Sequence, residues 1–316
     1  MTVSEEPERL PRVDVLMATY NGRRWIEPQI DSILDQNGVD VRLIVSDDGS
    51  EDGTADYLRA RAAKEPRIVL LPARQGRRGV TPNFLHLFAQ HSVTADVYVA
   101  FSDQDDLWHP DKLHEQIRLV EASGADAVSS NVTSFSQDGH RRLVVKSDPQ
   151  RRWDYLFEAA GPGSTYVFTP SLHARLVGAL VKLDISVIDS HDWFLYALTR
   201  ALGDTWVIDP RPLVDYRQHA SNALGEHRGV RAFERRLAAL RSGFYRRQFL
   251  ATARACREVA ASVRDPGWLE DLDALIADLA HSDLASRWRI AARFRDIRRD
   301  RLEGLELATS CLLGVW

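Results

Sequence analysis

The sequence predicts an α/β protein with a mostly parallel central sheet, helices on both faces of that sheet, and a helical C-terminal region. Three observations lead to this fold class. Short apolar runs alternate with helical patterns over the first hundred residues, and polar, turn-prone segments follow the apolar runs. From about residue 228 onward, Ala, Leu and Arg recur at helical spacing. The expected units are an α/β domain over residues 1–227 and a helical region over residues 228–316.

The first third of the chain alternates strands with helices. The first apolar run, VDVLMA, ends in the turn-prone TYNG, and the second, VRLIVS, stops at DDGSEDGT, whose Asp, Ser and Gly residues favour a turn and a helix N-cap. Strands are predicted at residues 13–18, 41–46, 68–71 and 96–101, and helices at 25–34, from 54, and at 82–90. Such alternation is typical of a parallel sheet covered on both faces.

The remaining elements are less regular. Strands are predicted at residues 127–130, 166–169 and 205–209, and helices at 170–181 and from about Asp192. A Gly-Pro-Gly turn occupies residues 161–163, and the C-terminal helical pattern is broken at Asp265-Pro266-Gly267. The sequence therefore predicts several separate helices in the C-terminal region.

Composition excludes several classes of protein. The 316 residues carry a net charge of -4, which argues against a nucleic-acid partner because such proteins usually have a basic excess. The two cysteines, Cys256 and Cys311, lack metal-type spacing, and no apolar run approaches the roughly 20 residues that span a bilayer. With an acidic, polar start rather than a secretory signal, we expect a cytoplasmic protein, either free or at the inner face of the membrane.

Three polar clusters follow predicted strands. They are Thr19-Tyr20-Asn21, Asp47-Asp48 and the run from Asp103 to Asp106. In open parallel sheets, ligands bind beyond the carboxyl ends of the strands, where such loops converge. The clusters are therefore expected to form one binding site.

The run Asp103-Gln104-Asp105-Asp106 predicts a divalent metal ion. One or two carboxylates together with phosphate oxygens are the ligands that Mg²⁺ or Mn²⁺ prefers, and such an ion neutralises charge on a departing phosphate. Alternation at a strand end lets Asp103 face a ribose or the metal while Asp105 faces the metal. The alternative is an acidic N-cap for the helix that follows Pro110-Asp111.

The pair Asp47-Asp48 has two interpretations of the same kind. A carboxylate there can accept a hydrogen bond from the N3–H group of uracil or thymine, which adenine lacks. It can also simply close the turn and cap the helix from Thr54.

Taken in this order, the motifs resemble a known family. VLMATYNGRRWIEPQIDSILDQ, LIVSDDGSEDGT and FSDQDDLWHPDKL are similar to bacterial family 2 glycosyltransferases of the GT-A fold, and HDWFLYALTRALG and LVDYRQHASNALG to their rhamnosyltransferase-like branch. The similarity covers roughly residues 10–225. It implies a nucleotide-binding part at about 10–110 and an acceptor part at about 111–227.

The resemblance also implies roles for individual residues. Thr19, Tyr20 and Asn21 match the first nucleotide-binding loop, and Asp47, with Asp48 beside it, matches the acid that contacts the base. Asp103 and Asp105 match the DxD motif of the family, and His219 matches a histidine that contacts metal or diphosphate. Arg77 stands where the family often has asparagine, so Arg78 or Arg77 is expected on the diphosphate. Asp192 matches the general base.

Asp192 also fits the chemistry from first principles. A direct displacement at an anomeric carbon needs one carboxylate within about 3 Å of the attacking hydroxyl, whereas retention by double displacement needs a second carboxylate. No obvious second carboxylate presents itself, so an inverting enzyme is expected. The structural alternative is that Asp192 only interacts favourably with the dipole of its helix. The neighbouring His191 is expected to pack, or to support the site residues, rather than to act as the base.

The expected activity is therefore transfer of a sugar from a nucleotide-diphosphate donor. The best match is L-rhamnose from dTDP-L-rhamnose, and the acceptor is a glycan, a lipid-linked glycan or a small-molecule glycoside. Another UDP- or dTDP-hexose, a sugar nucleotidyltransferase and a catalytically dead scaffold are the alternatives. For the C-terminal helices, the expectations are packing on the catalytic domain, a homodimer contact, or contact with an anionic membrane.

Overall fold

The structure is a computed structural model of the chain, and it describes residues 9–92, 94–219 and 242–316. Its strands form one mixed sheet in the order β3-β2-β1-β4-β8-β6-β9-β5, with β7 beside β6. The strands are β1 (Arg12–Thr19), β2 (Asp40–Asp47), β3 (Ile68–Leu70), β4 (Val97–Ser102), β5 (Leu107–Trp108), β6 (Ala127–Ser136), β7 (Arg141–Val144), β8 (Val167–Phe168) and β9 (Trp206–Gln218).

Helices connect and cover these strands. They are α1 (Ile26–Leu34), α2 (Thr54–Ala62), α3 (Val80–Gln90), α4 (Lys112–Ser123), α5 (Pro170–Leu180), α6 (His191–Leu202), α7 (Phe244–Ala260), α8 (Pro266–Ala280), α9 (Leu284–Ala292) and α10 (Arg301–Leu312). None of the helices in the described ranges is long and apolar enough to cross a membrane.

The parallel part of the sheet is buried on both faces. In β1, Leu16 packs into a cluster with residues of α3, α5 and α6, whereas Val15 and Met17 pack into a second cluster with residues of α1, α2 and α4. β1 pairs in parallel with β2 and β4, so the loops after these strands meet at one edge. This arrangement confirms the predicted fold class, and it brings the three polar clusters together.

The sheet departs from the prediction beyond β4. β8 runs antiparallel to both β4 and β6, and the short strands β5 and β7 were not predicted. β9 is also longer than the predicted residues 205–209, because it continues along β6 as far as Gln218. β7 pairs with β6 directly before it, whereas β5 and the long β9 owe their pairing to strands distant in sequence, and local sequence carries little of that information.

The described part of the C-terminal region is helical and docks on the α/β domain. The break at Asp265-Pro266-Gly267 is confirmed, because α7 ends at Ala260 and the Asp265 side chain caps α8 by accepting the N–H of Trp268. Arg299 is buried and contacts both Asp154 and Glu158. The predicted packing of these helices on the catalytic domain is therefore confirmed for residues 242–316. The predicted start near residue 228 lies outside the described residues.

Candidate active site

The loops after β1 and β2 are joined through the carboxylate of Asp47. Its Oδ2 accepts the hydroxyl groups of Thr19 (2.8 Å) and Ser50 (2.6 Å), and its Oδ1 accepts the backbone N–H groups of Gly49 (3.1 Å) and Ser50 (2.8 Å). A carboxylate has about four acceptor positions. All four are occupied, so a base N3–H would have to replace one of the hydroxyl groups.

Tyr20 and Asn21 form the rim of the same site. The Gln104 side chain bonds both the N–H and the C=O of Tyr20, at 2.9 and 3.0 Å, and Tyr20 is 52% exposed. Asn21 has φ 48°, and its side chain accepts the N–H of Glu51 at 2.8 Å. The rim is thus held by polar contacts from two other loops, and an exposed aromatic ring remains for a ligand to stack on.

Asp48 is placed differently from Asp47. It is buried, and its carboxylate accepts the Arg74 guanidinium at 2.7 Å and the Gly79 N–H at 2.6 Å. In this structure, Asp48 therefore ties the loop after β3 to the end of β2. Its predicted contact with nucleotide stays a prediction, and these bonds give it a supporting role.

The two neighbouring arginines of the loop after β3 point to different parts of the molecule. A side-chain carbon added at Gly49 would lie 3.0 Å from the Arg78 guanidinium, which makes no hydrogen bond or ion pair with any described residue. Arg77 instead donates to Ser186 O (2.6 Å) and Asp189 (2.8 Å). Of the two arginines, only Arg78 lies beside the loop after β2, and it has no charged partner among the described residues.

Asp103 and Asp105 follow β4, as the sequence predicted. Burial, and then the charges of Asp105 and Asp192, raise the pKa of Asp103 to about 8. Asp105 Oδ2 lies 2.8 Å from His219 Nε2. The predicted members of the acidic site therefore do come together, although β9 must run its full length to bring His219 there.

The fit to a divalent ion rests on this donor set. Crowded carboxylates of like charge disfavour ionisation, and a cation among them removes that penalty. The described residues contain no group of three or more His, Cys, Asp or Glu side chains that could hold a metal ion by themselves. Mg²⁺ is commonly held by one or two carboxylates and completed by phosphate oxygens. Asp103 and Asp105 fit that pattern, and the ligand role of His219 stays a prediction.

His219 and Arg217 are fixed by a stack of rings and cations. The His219 ring stacks on Trp25 at 5.5 Å with an interplanar angle of 13°, and the Arg217 guanidinium lies 4.6 Å from the centre of a Trp25 ring. Arg217 also donates to Asp105 O at 2.7 Å. The end of β9 is thereby attached to both the acidic loop and the start of α1.

Asp106 is a buried part of the site that the sequence did not single out. It accepts the Arg217 N–H at 3.0 Å and the Ser164 hydroxyl at 2.8 Å. Lys112 is fully buried nearby, and its Nζ lies 3.7 Å from the centre of a Trp108 ring. Burial raises the pKa of Asp106 and lowers that of Lys112. Only the tertiary structure shows the contacts of Asp106 with Ser164 and Arg217, because these partners are far apart in sequence.

Asp192 lies in the first turn of α6, largely buried. Its Oδ1 accepts the Ser190 hydroxyl and the Trp193 N–H, which leaves Oδ2 without a hydrogen bond from any described residue. The charge of Asp192 contributes to the raised pKa of Asp103, which places the two carboxylates in one site. Asp192 thus combines a held orientation with a free oxygen.

The Gly-Pro-Gly turn packs against this end of α6. A side-chain carbon at Gly163 would lie 2.9 Å from His191 Nε2 and 3.3 Å from the Asp192 Cβ. His191 stacks on Phe84 at 4.0 Å, and burial lowers its pKa to about 4. The expected packing of His191 is therefore confirmed, and the expectation that it does not act as the base stays a prediction. The close approach of Gly163 could not be read from the turn sequence alone.

Comparisons with known proteins identify the family of the chain. A family model described as "Glycosyl transferase family 2" matches residues 14–183. The chain is 36% identical over 242 residues to dTDP-rhamnosyl transferase RfbG of Shigella flexneri, covering 76% of this chain and 84% of RfbG. It is 30% identical over 213 residues to the succinoglycan biosynthesis protein ExoO of Rhizobium meliloti, covering 64% and 60% of the two chains.

Solved structures share the fold at low sequence identity. One is S. aureus TarS 1-349 in complex with UDP, with a TM-score of 0.55 and 12% identity over 96% of this chain and 87% of that chain. Another is the mannosyltransferase PcManGT from Pyrobaculum calidifontis in complex with GDP-Man and Mn²⁺, with a TM-score of 0.52 and 20% identity over 98% and 89%. The likeness concerns the arrangement of the sheet and its helices.

Proposed function

The chain belongs to glycosyl transferase family 2, and on that premise we propose that it inverts the anomeric carbon as it moves L-rhamnose from dTDP-L-rhamnose to an acceptor hydroxyl. Membership makes it a glycosyltransferase, which decides against the nucleotidyltransferase and scaffold alternatives. The choice of rhamnose is supported by the similarity to RfbG. Another UDP- or dTDP-hexose is the competing donor, because the sugar is recognised by side chains scattered over several loops.

The observation that carries the proposal is the hydrogen bonding of the Asp192 carboxylate. One carboxylate oxygen is held by Ser190 and by the N–H of Trp193, and the other is free beside the acidic loop. That free oxygen accepts the proton of the acceptor hydroxyl while the hydroxyl oxygen attacks the anomeric carbon. The attack is from the face opposite the departing nucleotide diphosphate, so the configuration inverts in a single displacement.

The acceptor is proposed to be a glycan, a lipid-linked glycan or a small-molecule glycoside.

The nucleotide is proposed to lie between the Tyr20 ring, the loop that contains Asp47, and the Arg78 guanidinium. Exposed Tyr20 offers a stacking surface, and unpaired Arg78 offers a charge for phosphate.

Asp103 and Asp105 are proposed to hold Mg²⁺ or Mn²⁺, with His219 beside them. When bound, the ion neutralises charge on the departing diphosphate. Without a cation, burial and two like charges favour the protonated form of Asp103. We therefore expect ion binding to release a proton from Asp103 and to strengthen as the pH rises toward about 8.

The test is transfer by purified full-length protein with a panel of dTDP-, UDP- and GDP-sugars, together with NMR of the product anomer. Asp192→Asn should lower the transfer rate by about 10² to 10⁴, while donor affinity stays within a few-fold. A retained anomer, or an Asn variant that loses donor binding but keeps its rate, would contradict the assigned base. Asp105→Ala and EDTA should each abolish turnover if the metal assignment holds.

The outer face of the C-terminal helices is proposed to contact a second copy of the chain or an anionic membrane surface. Its exposed apolar side chains are Leu284, Trp288, Leu302, Leu305, Leu312 and Leu313. Acidic residues are interspersed, which favours a second copy. A mass that rises with protein concentration would support the dimer, and flotation with anionic vesicles at low salt would support the membrane.

A further inference from the structure

A cavity of about 430 Å³ lies where α7 meets the segment that leads into α6. One wall is the face of α7 that carries Phe244, Arg247, Ala251 and Arg254, at the spacing of one helix face. The opposite wall includes Arg77 and the segment just before α6. None of these residues takes part in the proposed nucleotide or metal site.

The charge of this cavity is predominantly positive. Arg77, Arg247 and Arg254 line it, and among the described residues of the lining Asp189 is the one carboxylate. Asp189 already bonds Arg77 at 2.8 Å and the Gln248 amide at 3.2 Å. Arg247 is exposed and donates to Ser242 O, and Arg254 is exposed with no hydrogen bond or ion pair to any residue that the structure describes. Within the described ranges, the guanidinium groups of Arg247 and Arg254 thus have no carboxylate partner.

The rest of the lining is largely apolar. Val187, Phe244, Leu250 and Ala251 contribute to the walls, and Val187 is 54% exposed. Arginine is the usual partner of phosphate and carboxylate groups, and apolar walls favour an apolar group next to that anion. The cavity is therefore suited to a ligand that carries both.

One residue of the cavity lining, Asp189, lies close to the candidate base Asp192. Asp189 is three residues before Asp192, so the two Cα atoms are at most about 11 Å apart. The loop after β3 separates the cavity from the nucleotide site, because Arg78 lies beside Gly49 while Arg77 contacts Ser186 and Asp189. Thr81 of α3 also fixes this segment by donating to Asp189 O at 2.8 Å.

We propose that this cavity is an acceptor subsite that binds an anionic group, phosphate or carboxylate, joined to an apolar segment of the acceptor. The inference rests on the proposed function in that it places the ligand on the acceptor side of Asp192. Arg247 and Arg254 bind the anion, and Phe244, Leu250 and Ala251 contact the apolar segment. The acceptor hydroxyl then reaches Asp192 from the side away from the nucleotide.

The test is direct calorimetric binding to the full-length protein, which does not depend on turnover. The probes are decyl phosphate and sodium decanoate, which carry both groups, inorganic phosphate, which carries only the anion, and decyl maltoside, which carries only the chain. At least one of decyl phosphate and decanoate should bind at least ten-fold more tightly than both inorganic phosphate and decyl maltoside. The stronger of the two identifies the anion as phosphate or carboxylate.

Variants assign that binding to the cavity. Arg247→Gln/Arg254→Gln and the single variant Arg254→Gln should weaken the stronger probe, the double variant by at least ten-fold. Arg118→Gln removes an exposed arginine from α4 and should bind like wild type. Equal affinity in wild type and the double variant, equal binding of decyl maltoside, or no binding of either two-group probe would overturn the proposal. Binding of dTDP and UDP, measured in parallel, tests the proposed donor site separately.

Discussion

At the scale of single residues, Asp106 links three parts of the active site. Its neighbour Asp105 contacts His219, its own carboxylate accepts the Arg217 N–H from β9, and Ser164 belongs to the turn that places Gly163 against Asp192. Asp103 and Asp105 were recognisable from sequence because they alternate at a strand end. In the sequence, Asp106 looked like only the third acid of the same run. Its separate structural role depends on Ser164 and Arg217, which are about 60 and 110 residues away.

Asp106→Ala should therefore destabilise the fold and slow transfer together. The substitution leaves the Arg217 N–H and the Ser164 hydroxyl without their buried partner, which costs about 1–3 kcal/mol. Asp106→Asn keeps an acceptor for the N–H and a group for Ser164, so it should recover most of the loss. Urea unfolding and initial transfer rates measure the two effects. If alanine leaves both unchanged, Asp106 does not hold the site together.

At the scale of elements, the turn at residues 161–163 and the start of α6 form one unit. The turn was predicted from its glycines and proline, and the helix from its apolar pattern. Their contact leaves room for only a hydrogen atom at Gly163, since an added carbon would lie 2.9 Å from His191 Nε2. The position of Asp192 therefore depends on an element that precedes it by some thirty residues.

Gly163→Ala should lower the transfer rate at least ten-fold while nucleotide affinity stays within a few-fold, because the added methyl displaces His191 and Asp192. The matched control is Gly178→Ala in α5, where an added carbon meets no atom within 4 Å. That control should keep full activity and gain about 0.5–1 kcal/mol from helix propensity. Equal rates in the two variants would show that the turn does not position Asp192.

His173 of α5 makes the packing of this helix sensitive to pH. Burial lowers its pKa to about 4, and its Nε2 lies 3.1 Å from Phe88 O. Between about pH 6.5 and 4, the unfolded chain binds a proton that the folded chain does not, so stability falls as the pH falls through this window. When the pH is lowered from 7.5 to 5, the free energy of unfolding should fall by about 2 kcal/mol less in His173→Phe than in wild type. If urea titrations show that both proteins lose the same free energy of unfolding over this pH range, the lowered pKa of His173 is contradicted.

At the scale of the whole molecule, the C-terminal helices are integrated with the catalytic domain. Arg299 is 3% exposed and bonds Asp154 (3.0 Å) and Glu158 (2.9 Å), and the Trp153 N–H donates to Asp296 O at 2.8 Å. Arg264 donates to the backbone of Ala201 at the end of α6 at 2.9 Å. The helix that carries Asp192 is therefore held from its far end by the C-terminal region.

Arg299→Gln should lower the free energy of unfolding by about 3–5 kcal/mol, because two buried carboxylates lose their partner. The control is Arg257→Gln, which removes a partly exposed partner of Asp273 in the same region and should cost no more than about 1 kcal/mol. Chemical denaturation of the two variants at one pH makes the comparison. A cost for Arg299→Gln as small as that of the control would mean that the buried pairs do not anchor the region.

The sequence by itself determined the α/β class, the strand-end clusters and the break before α8, because local patterns of apolar, acidic and turn residues encode them. The candidate base Asp192 came from the resemblance of its motif to family 2 glycosyltransferases. Tertiary structure alone decided that Asp48 pairs with Arg74, that Arg77 leaves the nucleotide side for Asp189, and that β9 reaches His219 to Asp105. These contacts join residues separated by 26, 112 and 114 positions. Burial and distance between such side chains arise only when the sheet has formed, so periodicity along the chain does not contain them.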